Sequence, residues 1–126
     1  MHDAEQNSAG QPNFEVQSIP HHAEAEKISV VMDGREVARL FLYYLTNDQH
    51  SAPFVFCEDW FVEEGYRSHG LGKFLAVEAI KRAQEKKCYK IVANSRFGKP
   101  HVHRLLESSG YRKHGFEFRV DISGDS

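Results

Sequence analysis

Cysteine is scarce. Cys57 and Cys88 are the only two in 126 residues, and no Cys-x-x-Cys pair occurs. That excludes a disulfide-stapled scaffold and a cysteine-rich zinc site, and it leads to the expectation of free thiols in a reducing compartment. Long apolar runs are also missing, and none approaches the roughly 20 residues of a membrane span. The opening residues Met1-His2-Asp3-Ala4-Glu5-Gln6 lack a basic and then apolar leader, so no secretory signal is read and a cytoplasmic setting is expected. Metal-ligand clusters are absent as well. His21 and His22 adjoin each other without Cys or carboxylate at ligand spacing, which points to a solvated loop and no bound metal.

What is present is ordinary for a globular chain: 40% apolar, 27% charged and 12% aromatic residues. The length suits one domain with its own core. The boundaries expected are an N-terminal mobile tail over 1–13, a single domain over 14–122, and a frayed end over 123–126.

A net charge of −2 conceals a division. Residues 1–66 hold 12 acids and 3 bases, residues 67–119 hold 13 bases and 4 acids, and the last seven residues add two acids. A basic half suits an anionic ligand and an acidic half a cationic one. An acidic chain without a recognisable RNA- or DNA-binding motif argues against nucleic acid.

The division falls at a particular stretch. Phe54 to Val62 is aromatic and β-branched, a strand signal. Arg67-Ser68-His69-Gly70-Leu71-Gly72 follows as a loop. A helix comes next, with Leu71, Phe74, Leu75, Val77, Ala79, Ile80 and Ala83 forming a broad apolar face. First-turn N–H groups of a helix lack backbone partners, and glycine lets a ligand come close, so the layout suits a phosphate.

Around this centre the pattern predicts a short strand at Phe14–Ile19 and a connector from His21 to Glu26. A hairpin follows, Lys27–Met32 and Arg35–Leu45, about Asp33-Gly34. After the helix, Tyr89–Asn94 reads as a parallel strand. His101–Ser109 reads as a helix started by Pro100 and closed by Gly110. Phe116–Ile122 alternates as a last strand. The fold class expected is α/β, with a mixed sheet, an antiparallel meander first and a βαβ unit at its centre.

Two motifs in this order resemble the GCN5-related N-acetyltransferase (GNAT) family. Arg67 to Gly72 matches its Arg/Gln-x-x-Gly-x-Gly/Ala loop. Phe61-Val62-Glu63-Glu64-Gly65-Tyr66-Arg67 resembles its lead-in, with Glu64 where Pro is common. Val102-His103-Arg104-Leu105-Leu106-Glu107-Ser108-Ser109-Gly110-Tyr111 resembles its second helix and turn. The likeness runs from about Lys27 to Ile122.

The resemblance implies a sheet whose central parallel strands splay apart, with helices on its faces. It implies acetyl-CoA as co-substrate, a primary amine as acceptor, and direct transfer in a ternary complex. Backbone amides of His69, Gly70, Leu71, Gly72 and Lys73 would hold the pyrophosphate, with Arg67 and Ser68 at the entrance. Trp60 and Val62 would face the pantetheine arm and thioester, flanked by Asn94 and Ser95. Lys73, Arg96 and Lys99 would meet the outer phosphates. Glu58 is the candidate base, sharing strand parity with Phe56, Trp60 and Val62, while Asp59 faces the other way.

Two departures are visible. Leu106 stands where the family commonly has a Tyr acid, leaving His103 and, behind it, His101, Ser95 or Tyr111. The two helices that usually precede the second strand have only His21–Glu26 for their space. That reading leaves the acceptor side open or completed by a second subunit in a homodimer. A degenerate fold that binds CoA or a partner protein without turnover is the alternative function.

Overall fold

The computed structural model describes residues 13–124. The expected tail over 1–13 therefore lies, but for Asn13, outside the described residues.

Four strands form one sheet in the order β1-β2-β3-β4. β1 (Glu24–Met32) and β2 (Arg35–Leu45) are antiparallel about Asp33-Gly34, with φ of 53° and 78°. Both turn residues are thus left-handed, the geometry a two-residue hairpin favours. β3 (Phe54–Val62) pairs antiparallel with β2, and β4 (Ile91–Ala93) pairs parallel with β3. Between β3 and β4 the chain passes through a 3-10 helix (Glu64–His69) and α1 (Leu71–Glu85). After β4 comes α2 (Pro100–Ser108). The expected α/β mixed sheet with a parallel pair is therefore present, but among the described residues that pair lies at the sheet's edge and not at its centre, since no strand follows β4. No helix of the described residues precedes β1.

One face of the sheet carries the core. Ile28 of β1, Ala38, Leu40, Leu42 and Tyr44 of β2, and Val55 and Cys57 of β3 are buried against Leu75, Ala79 and Ala83 of α1. From Ala38 onward the alternation along β2 puts even-numbered residues inward, as a half-buried strand requires. On α1 the inward residues recur every four positions, one stripe of a helix. That stripe is narrower than the sequence suggests, since Phe74 and Val77 are half exposed. Alanines at 76, 79 and 83 bring the helix close to the sheet, so the flanking bulky residues are left outside.

Both helices end on left-handed residues with paired return bonds. Gly110 (φ 99°) closes α2, with Tyr111 N–H donating to Leu106 C=O and Gly110 N–H to Glu107 C=O. Lys87 (φ 58°) does the same for α1, with Cys88 N–H donating to Ala83 C=O and Lys87 N–H to Gln84 C=O.

Three expectations are corrected. Phe14–Ile19 and Phe116–Ile122 are not strands. Alternation marks which residues can share a face, while a strand also needs a partner edge to take its hydrogen bonds. His21–Glu26 is only partly a connector, because β1 begins at Glu24. There the ends of β1 are tied to α1 by Glu26, which accepts from Tyr44 Oη at 2.5 Å and pairs with Arg82 at 2.9 Å.

Candidate active site at the parting of β3 and β4

The parallel pair is short. Registered partners run only from Val55–Ile91 to Cys57–Ala93, extended below by Tyr89 N–H on Pro53 C=O. β3 then continues from Glu58 to Val62 with no strand of the described residues on that edge. The two strands part at Cys57–Ala93, and Asn94 and Ser95 lie at the β4 lip of the opening.

A bulge marks the same point. Asp59 and Trp60 together face Leu40, between the pairs Phe41–Glu58 and Arg39–Phe61. Asp59 takes φ 53°, a left-handed value, and Arg39 holds it from β2 through Nε–Oδ2 at 2.8 Å and Nη2–Oδ1 at 3.0 Å. The extra residue flips the parity. Trp60 and Val62 pack against the core alongside Val55 and Cys57. Glu58, opposite Phe41, stays on the outer face, and Asp59 is drawn to Arg39 on that face too. The expected shared parity of Glu58 with Trp60 and Val62, and the opposed direction of Asp59, are both corrected by this bulge.

Val62 gains a special position. Glu63 N–H donates to Val37 C=O at 2.8 Å, so the opposed residues Ala38 and Val62 form a pair without mutual hydrogen bonds. The N–H and C=O of Val62 therefore point away from β2, into the opening. The carbonyl accepts from Arg67 Nε at 2.9 Å, which fixes Arg67 beside the gap.

The glycine loop closes the opening from below α1. The segment from Glu64 to His69 is a 3-10 helix rather than irregular loop, and Tyr66 N–H donates to Glu63 C=O. Glu64 is its first residue, where an acid suits the helix dipole. Ring contacts of this helix include Tyr66 with His69 at 5.9 Å, Arg35 over Tyr66 at 5.8 Å and Arg67 over Phe61 at 6.0 Å. Gly70 (φ 76°) ends it and begins α1, without a side-chain cap and without an acid in the first turn. The N–H groups of Leu71, Gly72 and Lys73 precede the first helical bond, Phe74 N–H to Gly70 C=O. The two glycines differ in purpose. Gly70 supplies the left-handed turn, while a Cβ on Gly72 would lie 3.0 Å from Leu105 Cδ1 of α2.

The other expected residues are dispersed around this rim. Lys73 Nζ donates to Ser108 C=O at 3.3 Å, bridging α1 to the end of α2. Arg96 and Lys99 are exposed on the β4–α2 loop, and none of Arg67, Lys73, Arg96 or Lys99 joins an ion pair among the described residues. His103 Nε2–H donates to Arg96 C=O at 2.8 Å, pinning that loop. His101 is exposed. Tyr111 donates to Ala76 C=O at 3.1 Å, and burial raises its pKa. Leu106 is buried. Cys57 is buried with its pKa raised to about 12 by desolvation, which makes it core and not nucleophile. Ser95 Oγ is the one buried side-chain polar atom without a partner among the described residues. An orphaned hydroxyl at the opening, three free helix N–H groups and unpaired cations are a donor set that fits an anionic, amide-bearing ligand.

A family model described as the acetyltransferase (GNAT) family matches residues 3–111. The chain belongs to that family. Among solved structures, it is similar to a protein of Agrobacterium tumefaciens assigned as an acetyltransferase, with 26% identity and a TM-score of 0.72, over 77% of this chain and 68% of that one. It is similar to an acetyltransferase of Trypanosoma brucei at 25% identity and TM-score 0.65, over 79% and 69% of the two chains. At 18% identity it shares the fold of AAC(6')-Iy, solved with the bisubstrate analog CoA-S-monomethyl-acetylneamine (TM-score 0.62, 77% and 69%). This GNAT chain thus spans about two thirds of the length of these structures. Among its described residues no helix is long and apolar enough to cross a membrane, and no group of three metal-ligating side chains occurs.

Proposed function

We propose that this GNAT chain is an acetyl-CoA-dependent N-acetyltransferase acting on a primary amine in a ternary complex. The observation that carries it is the Val62 N–H aimed into the gap between β3 and β4, on the strand that leads into the first-turn amides of α1, which have no backbone partner among the described residues. The Leu71, Gly72 and Lys73 amides bind the pyrophosphate, with Arg67, Ser68 and His69 at its edge. Ser95 Oγ and Asn94 meet the pantetheine arm. Acetyl-CoA supplies an activated acetyl group. The amine nitrogen bonds to its carbonyl carbon, the C–S bond breaks, and CoA departs as thiolate. The Val62 N–H stabilises charge developing on the carbonyl oxygen. Glu58 takes the ammonium proton, directly or through one water, and the second proton, shed as the amide forms, passes to the departing thiolate or to solvent. Two free cysteines fit a reducing, cytoplasmic setting.

The missing acid tempers the rate. Leu106 donates nothing, and His103 already gives its Nε2 proton to a carbonyl. General acid help is worth roughly 10²–10⁴-fold, so its loss slows turnover without removing it. The buried Leu106 also favours a second reading, in which the chain binds CoA or a partner protein without turnover. Calorimetry with CoA and thiol release from acetyl-CoA across an amine panel separate the two. Saturable release that Glu58→Gln reduces supports the enzyme. Binding without release supports the second reading, and no CoA binding at all sinks both.

A further inference from the structure

The acidic half of the sequence is not an open acidic surface. Five carboxylates lie on the strands, and four are neutralised in place. Glu24 meets Lys86 at 3.2 Å, Glu26 meets Arg82 at 2.9 Å, Glu36 meets Lys27 at 2.7 Å, and Asp59 meets Arg39 at 2.8 Å. Glu58 has neither an ion pair nor a hydrogen bond among the described residues, and it is exposed. It stands opposite Phe41, while Phe56, two residues earlier on the same face, stands opposite Tyr43. Phe41 and Tyr43 stack at 6.3 Å with 14° between their planes. All three rings are half-buried. α1 packs on the opposite face of the sheet, and α2 packs on α1.

The rings around Glu58 already attract cations. Lys27 Nζ lies 5.8 Å from the Phe41 centroid, and Arg39 Cζ lies 4.7 Å from that of Phe61. Among the described residues Tyr43 and Phe56 carry no such cation. One uncompensated carboxylate therefore sits beside one uncapped pair of rings. It is also the first β3 residue past the last β4 pair, Cys57–Ala93, so it stands at the mouth of the opening.

We propose that this outer face binds a monocationic amine with a flat or apolar body, the ammonium at Glu58 and the body over Tyr43 and Phe56. Charge complementarity sets the number of cations. A second ammonium would meet Lys27 and Arg39, whose counter-charges are already in place. Ring faces and half-buried apolar edges reward a hydrocarbon or aromatic body more than a hydroxylated one. As the acceptor site this assignment rests on the reaction proposed above, but it is a binding claim that stands or falls separately.

The test is a nuclear magnetic resonance titration of the full chain with phenethylammonium, butylammonium, spermidine and 2-phenylethanol. The amides of residues 41–44 and 56–59 are the readout. Phenethylammonium is expected to shift these amides and to bind roughly ten-fold tighter than 2-phenylethanol or spermidine, about the value of one ion pair with a ring contact. Glu58→Gln is expected to weaken it by a similar factor. Phe56→Leu should weaken phenethylammonium and leave butylammonium unchanged, while Phe56→Tyr retains both. Spermidine binding as well as phenethylammonium, shifts confined to other segments, or equal loss of both amines in Phe56→Leu would overturn the proposal. Selective binding without acetyl transfer leaves this site standing and overturns the reaction. Transfer to phenethylammonium that Phe56→Leu leaves unchanged does the reverse.

Discussion

Arg39 grips Asp59 with two hydrogen bonds, 2.8 and 3.0 Å long, at the one residue of β3 whose backbone is left-handed. The pair holds the bulge that turns Trp60 and Val62 toward the core and aims the Val62 amide into the gap. Asp59→Ala removes the grip and leaves a side chain poorly suited to φ 53°. We expect kcat/KM for acetyl transfer to fall by roughly 10–100-fold, the usual consequence of displacing a reacting geometry by about an ångström. Steady-state kinetics on thiol release measure it, and an unchanged rate would separate the bulge from the chemistry.

The same pair gives a pH dependence. The Arg39 guanidinium holds the Asp59 carboxyl below its ordinary value, and Lys27 with Ser29 does the same for Glu36. Both groups have folded pKa values beneath the unfolded ones. Their stabilisation is therefore complete above the unfolded carboxylate range and declines as pH falls through the folded values. Both pairs are solvent-exposed, so the effect should be small and screened by salt. Carboxyl titration by nuclear magnetic resonance should show Asp59 moving upward in Arg39→Met, and an unmoved Asp59 would refute the role of the pair.

Gly70 and Gly72 should respond differently to alanine. Gly70→Ala forces a Cβ into φ 76° and is expected to destabilise by about 1–2 kcal/mol. Gly72→Ala gains about 1 kcal/mol of helix propensity but presses on Leu105 Cδ1 at 3.0 Å. A double-mutant cycle with Leu105→Ala should show Gly72→Ala to be more favourable once Leu105 is shortened. Denaturant melts of the four proteins measure this, and simple additivity would refute the contact.

Much of this was legible in the residues. The Asp33-Gly34 hairpin, the strand–glycine–helix centre and the Gly110 terminus each have a local chemical signature, and each forms. The resemblance points to a cofactor half through a run of backbone-directing residues, and that run forms the 3-10 helix ended by the left-handed Gly70. The bulge was not legible, because Asp59 is an ordinary strand-end residue until Arg39, twenty positions away, holds it. The same reason hid the isolation of Glu58. Pairing of its neighbours is a matter of three-dimensional register, and a count of acids in residues 1–66 cannot reveal which of them are already matched. The stripe of α1 was overread because period marks a direction, while the width of a buried face depends on how closely alanines let the helix approach.

Lys87 offers a gain in stability. It occupies the left-handed residue after α1, where Gly110 serves α2. A side chain there costs about 1–2 kcal/mol, and glycine removes the cost while keeping the return bonds of Cys88 and Lys87. Allowing for the greater freedom of glycine in the unfolded chain, Lys87→Gly should stabilise by up to about 1 kcal/mol. An unchanged or lowered thermal midpoint would show that the Lys87 side chain contributes contacts of its own.

The C-terminal segment has the alternation of a strand and the exposure of a free chain. Phe116, Phe118, Val120 and Ile122 are 77%, 93%, 79% and 91% exposed. Arg119 meets Asp121 two residues on, at 2.8 Å, as an extended backbone permits. Phe116 lies 6.4 Å from Phe97, itself 85% exposed, on the loop that follows β4. β4 is an edge strand of three residues, so unpaired backbone and an unpaired apolar strand-like segment occur at the same end of the sheet. Such a combination promotes pairing between chains. Phe118→Glu interrupts the apolar row with a charge at its most exposed position. It should leave the unfolding free energy of the dilute protein within about 0.5 kcal/mol of wild type, as surface changes generally do. It should also lower concentration-dependent self-association in sedimentation velocity. A large loss of stability would instead mean that the segment completes the sheet of its own chain in solution, and an unchanged association would remove it from any contact between copies.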